Sequence, residues 1–464
     1  IAKVLPLYKK DDEHVFDNYR PISILPSISK ILERVIFIQL YSYFKNNNLF
    51  YISQYGFREG HSTELAAIEL IETVIEDMDN NNIPLSIFLD LSKAFDTLDH
   101  NILLHKLQYY GIHGNSLNLI ENYLTNRKQL VEFDDIKSSV LPVTTGVPQG
   151  SILGPLLFII YINDLHKATN AFSIISYADD TTLTTTLKAN ISNQNDINDG
   201  LQNINTWLKL NKLSLNVNKS KYMIFHSPNK TFVQPKLCID DTELECVTSF
   251  DFLGLTIDQN LKWNNHIIKV RSKISRSMGI LNRLKHFLPI QAKLILYSSL
   301  VLPHLNYNLI LWGHGSNKIL KVQKKIVRIL SCSSYNAHTE PLFKLLNILK
   351  VSDMYTIAKL KFYYKHVNDL LPSYFHSVRY RPVSETHSYE TRYNNSLLIP
   401  RTKHCFADFS IRCTIPKTVN EMPQIVLAKV NTHSFKGFVK YVKIYLIDQY
   451  ENECNIPNCY ICQN

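Results

Sequence analysis

Several things are missing from this 464-residue chain. It has no long apolar run. The longest, Ile152–Ile162, contains Gly154 and Pro155 and is too short to span a bilayer. It opens IAKVLPLYKKDDEH, without the basic stretch and apolar core of a secretory signal. Its eight cysteines are scattered and form no dense framework, which points to reduced thiols and an intracellular setting, nucleus or cytoplasm. There is no initiator Met, so the expectation is a fragment of a longer protein. No internal repeat and no long low-complexity linker interrupts the chain.

What is present describes a folded protein. Hydrophobic residues make up 45% and charged residues 19%, outside the range of disordered chains. The length suits two or three domains. The net charge is +10 and is unevenly spread. Residues 1–255 carry 21 Lys and Arg against 29 Asp and Glu, a balance of −8. Residues 256–464 carry 29 against 11, a balance of +18, and the two sum to +10. A basic back half joined to an acidic front half suggests a polyanionic partner, most simply nucleic acid.

Apolar spacing predicts helices over 28–45 and 63–78. PLSIFLD at 84–90 reads as a buried strand ending at Asp90. DHNILLHKLQYYGI at 99–112 reads as a helix with Asp99 at its N-cap. Residues 140–150 are loop-like, and SILGPLLFIIYINDL after them is a buried helix. SIISYADDTTLTTT at 173–186 reads as strand, turn and strand, its β-branched runs bracketing Asp179 and Asp180. Another helix and two further strand segments follow, which makes an α+β body. After residue 258 the pattern becomes helical and basic. Lys321, Lys324, Lys325 and Arg328 alternate with apolar positions, so one face can pack while the other meets phosphates.

Two adjacent carboxylates at a hairpin tip are an ordinary solvated turn when taken alone. Asp90, at the end of a buried strand, is costly unless paired or bound to a cation. If the two segments are neighbours in one sheet, three carboxylates meet at its edge. Hard Mg²⁺ then suits them, and two such ions activate a hydroxyl and stabilise a leaving pyrophosphate. Phosphoryl transfer asks mainly for positioning and charge neutralisation. Asp96 lies near Asp90 but reads as a structural or capping residue. Asp77, Asp79, Asp134 and Asp135 lie in polar, turn-like stretches and read as solvated.

The order of motifs resembles the reverse transcriptase of a non-LTR retrotransposon of the jockey, CR1 and LINE-like kind. NYRPISILPSISKILERVI at 18–36 and QYGFREGHST at 54–63 are similar to its two finger motifs. FLDLSKAFDTLDH at 88–100 is similar to the first catalytic motif. GVPQGSILGPLLFIIYINDL at 146–165 is similar to the template- and nucleotide-positioning motif, and YADD at 177–180 to the second catalytic motif. LSLNVNKSKYMIF at 213–225 and FLGLTID at 252–258 are similar to the two that close the palm.

The resemblance implies a right-hand α+β polymerase: fingers and palm over 1–258, a thumb-like basic helical region over 259–349, and a C-terminal region of unknown role over 350–464. It implies Asp90, Asp179 and Asp180 as catalytic Mg²⁺ ligands, with Mn²⁺ able to substitute. Phe95 would exclude a ribose 2′-hydroxyl, with a core aromatic as its plain alternative. Arg58 would meet the incoming triphosphate, or else form a surface ion pair. Gln149 and Gly150 would approach template base and nucleotide. Lys219 would protonate pyrophosphate, or simply be solvated. The implied partners are an RNA template (the element's own RNA), a DNA primer or nicked target DNA, and dNTPs. Neither an endonuclease nor an RNase H domain is visible. Cys454, Cys459 and Cys462 suggest zinc, but a fourth ligand is missing nearby, with His433 a remote candidate. The rival readings are a maturase-like enzyme of group II introns and a decayed element that only binds nucleic acid.

Overall fold

The structure, a computed structural model, describes residues 1–9, 12–188, 193–228, 230, 232–385 and 396–451. The chain divides into two compact units. The first comprises residues 1–66, 83–224 and 230–247; the second comprises residues 67–82, 225–229 and 248–464.

In the first unit, β1 (Ala2–Tyr8) pairs antiparallel with β2 (Tyr19–Ile24). Helix α1 (Ser27–Asn46) buries Glu33, Ile36, Leu40 and Phe44, a stripe at steps of three and four. Helix α2 (Thr63–Asp79) begins in this unit and continues in the second. Strand β3 (Ile83–Leu89) is buried along nearly its whole length. Asp99 caps α3 (His100–Tyr109) by accepting the Ile102 N–H at 3.0 Å, as its sequence position predicts. Helix α4 (Gly114–Leu124) follows. Strand β4 (Lys128–Phe133) then runs parallel to β1, extending the N-terminal sheet.

Helix α5 (Gly154–Tyr161) is the centre of the core. It is buried on all sides, as its unbroken apolar sequence requires. Around it pack α1, α3, the hairpin of β5 (Ser173–Tyr177) and β6 (Asp180–Leu187), and α6 (Gln194–Leu210). Strands β7 (Lys221–Ile224) and β8 (Glu245–Cys246) complete a five-stranded sheet of order β8-β7-β3-β6-β5. Its core strand β3 lies between β6 and β7, antiparallel to both.

The second unit opens with a hairpin of β9 (Ser249–Phe252) and β10 (Leu255–Asp258). Its turn, Leu253–Gly254, has positive φ at both residues, as a two-residue hairpin loop of this hand requires. The basic stretch beyond it is helical. Helix α7 (Asn264–Leu284) buries Ile267, Val270, Ile274 and Leu281 and leaves Arg271, Lys273 and Arg276 exposed. Next come α8 (Ile290–Leu300) and α9 (Asn317–Leu330), which packs on α7. Helix α10 (Val351–Val367) packs against α9, α11 (Ile411–Glu421) and α12 (Phe435–Asp448).

The C-terminal part of α2 is built into this unit. Glu72, fully buried, accepts the Ser410 hydroxyl at 2.5 Å and the Ile411 N–H at 2.9 Å at the start of α11. Asp79 accepts the N–H groups of Lys403 and His404, each at 2.9 Å. Asp79 is therefore a loop anchor and not the solvated residue its polar neighbourhood predicts. Asp134 and Asp135 do lie exposed, in a turn of positive φ. Among the described residues no helix is long and apolar enough to cross a membrane. Cys454, Cys459 and Cys462 lie outside the described residues.

Candidate active site

Strand β3 ends at Leu89, one residue short of Asp90. The backbone of Asp90 is gripped by the loop before β7. Its N–H donates to Ser220 Oγ at 3.1 Å, and its carbonyl accepts the Asn216 N–H at 2.8 Å. Leu89 faces Thr181 across the ladder, so one further step brings Asp90 level with Asp180. Tyr177 pairs with Asp180 in the hairpin, which leaves Ala178 and Asp179 as its two-residue turn. The sheet register thus gathers three carboxylates from segments about ninety positions apart.

Electrostatics reflect that crowding. Asp180 is exposed at the rim, yet nearby protein removes enough water to push its carboxyl up to about 6. The charges of Asp179 and Asp90 add to this. Asp179 is also raised, chiefly by loss of water and further by Asp90, while Arg20 pulls it back down. Among the described residues, no group of three or more His, Cys, Asp or Glu stands ready-made to hold an ion. The donor chemistry still suits a hard divalent cation: oxygen ligands only, crowded so that two carboxyls resist ionising.

The turn itself is unusual. Ala178 has φ +57, the left-handed region that costs an L-residue with a Cβ roughly 1–2 kcal/mol. The segment Ser53–Gly56 holds it there. Ser176 N–H donates to the Ser53 carbonyl at 2.9 Å, and Tyr55 N–H donates to the Ser176 carbonyl at 2.7 Å. The side-chain oxygen of Gln54 accepts two N–H groups, from Gly56 at 2.8 Å and from Ala178 at 3.0 Å. A Cβ on Gly56 would lie 2.3 Å from the Ala178 nitrogen, so only glycine permits this approach.

Phe95 is half-buried. It stacks on Phe158 at 4.4 Å between ring centroids and meets Phe57 edge-on at 6.2 Å. Gln149 donates from its amide nitrogen to both carboxylate oxygens of Asp96, at 2.9 and 3.0 Å. Asp96 therefore orients Gln149. Gly150 has φ +108, and a Cβ there would come within 2.9 Å of the Ser23 carbonyl. The loop is also held from beneath. Glu33, 0% exposed, accepts the Ile152 N–H at 2.6 Å and the Tyr123 hydroxyl at 3.0 Å.

Arg58 is mostly buried, with its charge disfavoured by desolvation. Its Nη1 donates to the carbonyls of Tyr51 at 2.7 Å and Gln54 at 3.1 Å, and its guanidinium lies over the Phe50 ring at 5.0 Å. In this state it braces the loop that carries Gln54. Lys219 is exposed within the loop that grips Asp90. Sequence reasoning does not single out Arg20, Glu33, Gln54 or Ser220. All four sit inside the motifs quoted above, and their roles depend on contacts made only in the fold.

A family model described as reverse transcriptase (RNA-dependent DNA polymerase) matches residues 8–257. Two curated proteins of Drosophila melanogaster are similar. The "RNA-directed DNA polymerase from mobile element jockey" is 29% identical, over 73% of this chain and 38% of that one. The "Probable RNA-directed DNA polymerase from transposon X-element" is 27% identical, over 72% and 38%. The chain spans about two-fifths of the length of these relatives. Among solved structures, a telomerase from Candida albicans aligns with 75% of this chain and 64% of its own, at 13% identity and a TM-score of 0.41.

Proposed function

The chain belongs to the reverse transcriptase (RNA-dependent DNA polymerase) family, and from that premise we propose that it is the polymerase portion of a non-LTR retrotransposon protein. On this reading it extends a DNA primer 3′-hydroxyl, at a nick in target DNA, along the element's RNA with dNTPs. The observation that carries the reading is the meeting of Asp90, Asp179 and Asp180 at one end of the central sheet. These three would hold Mg²⁺, with Mn²⁺ as a substitute. When bound, the ions supply activation of the primer hydroxyl and charge neutralisation on the pyrophosphate.

The chain's own residues do the rest. The Phe95 ring, backed by Phe158, blocks the space a 2′-hydroxyl needs. Gln149, held by Asp96, and Gly150, with no side chain, let the loop approach base and nucleotide. Arg58 serves as the triphosphate contact only by releasing the carbonyls it holds in this structure. Lys219, exposed in the loop that grips the Asp90 backbone, is the proton donor to pyrophosphate. Residues 1–258 act as fingers and palm, and 259–349 as a thumb. Arg271, Lys273 and Arg276 on α7 meet backbone phosphates of the template–primer duplex.

The test is primer extension by the purified chain on poly(rA)/oligo(dT) with Mg²⁺, beside Asp179→Asn. The expected result is synthesis by the parent alone, with primer–template binding near normal in both. Unchanged synthesis by Asp179→Asn overturns the carboxylate assignment. Binding without any synthesis by the parent favours an element that has kept only nucleic-acid affinity.

A further inference from the structure

We propose that Gln54 is a positioning residue for the catalytic turn: its side-chain oxygen holds Ala178 left-handed and thereby aims Asp179. The proposal rests on the reading of Asp179 as an active-site carboxylate and deepens it. Gln54 is 3% exposed and Ala178 is 4% exposed, so water offers neither group an alternative partner. The Ala178 N–H points at the Gln54 oxygen at 3.0 Å, and the same oxygen takes the Gly56 N–H at 2.8 Å. One acceptor therefore pins two backbones to each other.

Three further features converge on that acceptor. The Ser53–Ser176–Tyr55 hydrogen bonds fix Gln54 beside the hairpin. The missing side chain at Gly56 lets the two backbones touch. Arg58 donates to the main-chain carbonyl of Gln54 at 3.1 Å and so fixes the backbone that carries this acceptor. Ala178 is not a residue that adopts positive φ unaided. Without the acceptor, its amide is buried and unpaired, and the turn gains by flipping to an ordinary conformation. Asp179 is the next residue, so a flip redirects its carboxylate. This assigns the second finger motif a task in the palm, distinct from contact with the nucleotide.

The experiment compares the parent chain with Gln54→Leu, Gln54→Asn, and each of these combined with Ala178→Gly. The readouts are kcat, dNTP KM, primer–template Kd, the Mg²⁺ concentration for half-maximal rate, and thermal unfolding. Gln54→Leu removes the acceptor; Gln54→Asn withdraws it by one carbon and keeps the site polar. Each single variant is expected to lose about 100-fold in kcat, the scale of a small misplacement of a reacting group. Primer–template Kd is expected to stay within about threefold, with the Mg²⁺ requirement raised. Glycine occupies the left-handed region freely, so adding Ala178→Gly is expected to restore at least about tenfold of the lost kcat.

Parent-like kcat in Gln54→Asn, or a loss that Ala178→Gly does not relieve, overturns the proposal. If Gln54→Leu does not fold, the Gln54→Asn pair decides by the same criterion. Asp179→Asn is run alongside. Activity retained there defeats the assignment of Asp179, whereas an inactive Asp179→Asn beside a parent-like Gln54→Asn defeats only the role of Gln54.

Discussion

At the scale of single residues, the site is built as much from what holds side chains as from the side chains themselves. Phe95 is a large ring fixed by Phe158, so the space its edge fills is set by packing. Phe95→Val should open that space. The expected outcome is ribonucleotide incorporation raised at least about tenfold relative to dNTPs in a competition assay, since one steric block governs the choice. A variant as selective as the parent would remove the ring from that role. Gly150 has no spare room and a φ that L-residues avoid. Gly150→Ala should therefore displace the loop and raise the dNTP KM about tenfold or more, with primer–template affinity retained. An unchanged KM would show that the loop does not approach the nucleotide.

At the scale of elements, much was legible. β-branched runs on both sides of Asp179 and Asp180 predicted the hairpin, and the structure forms it with Tyr177 opposite Asp180. The apolar run after Ser151 predicts a buried helix, and α5 is buried at every residue but Pro155. Long-range hydrogen bonds were not legible. Gln54 and Ala178 lie 124 positions apart, and Glu33 and Ile152 lie 119 apart. No local pattern links such residues, because their pairing depends on how sheet and helices stack. The role of Asp79 is hidden from the sequence for the same reason: its partners are the N–H groups of Lys403 and His404.

Glu72 supplies a prediction at this scale. Burial, opposed by its bonds to Ser410 and Ile411, raises its carboxyl to about 7 from an ordinary 4.5. Between those values the folded chain holds a proton that the unfolded chain has released. Its contribution to stability is thus fully present below pH 4.5 and is lost as pH rises toward 7. Urea unfolding followed from pH 5 to pH 8 should show the parent losing stability more steeply than Glu72→Gln. Parallel pH profiles would show that the buried proton is not held.

At the scale of the whole chain, charge is segregated: −8 over residues 1–255 and +18 over 256–464. Exposed Arg271, Lys273 and Arg276 line one helix of the basic part. Replacing all three by glutamine should weaken primer–template binding and flatten its salt dependence by up to about three in log–log slope. An unaltered slope in an anisotropy titration against KCl would place the phosphate contacts elsewhere. The order of the central sheet has a further consequence, in the timing of folding. Strand β3 carries Asp90 at its end, but its two neighbours are β6, at 180–187, and β7, at 221–224. During synthesis the strand waits for more than a hundred later residues before both its edges are paired. Such distant pairings form slowly, and until they do an apolar strand stands open to neighbouring chains. A nascent chain halted between β3 and β7 therefore carries Asp90 at the end of an aggregation-prone edge. The sheet order that brings Asp90 level with Asp180 thus also leaves an edge of β3 unpaired in any copy that stops short of β7.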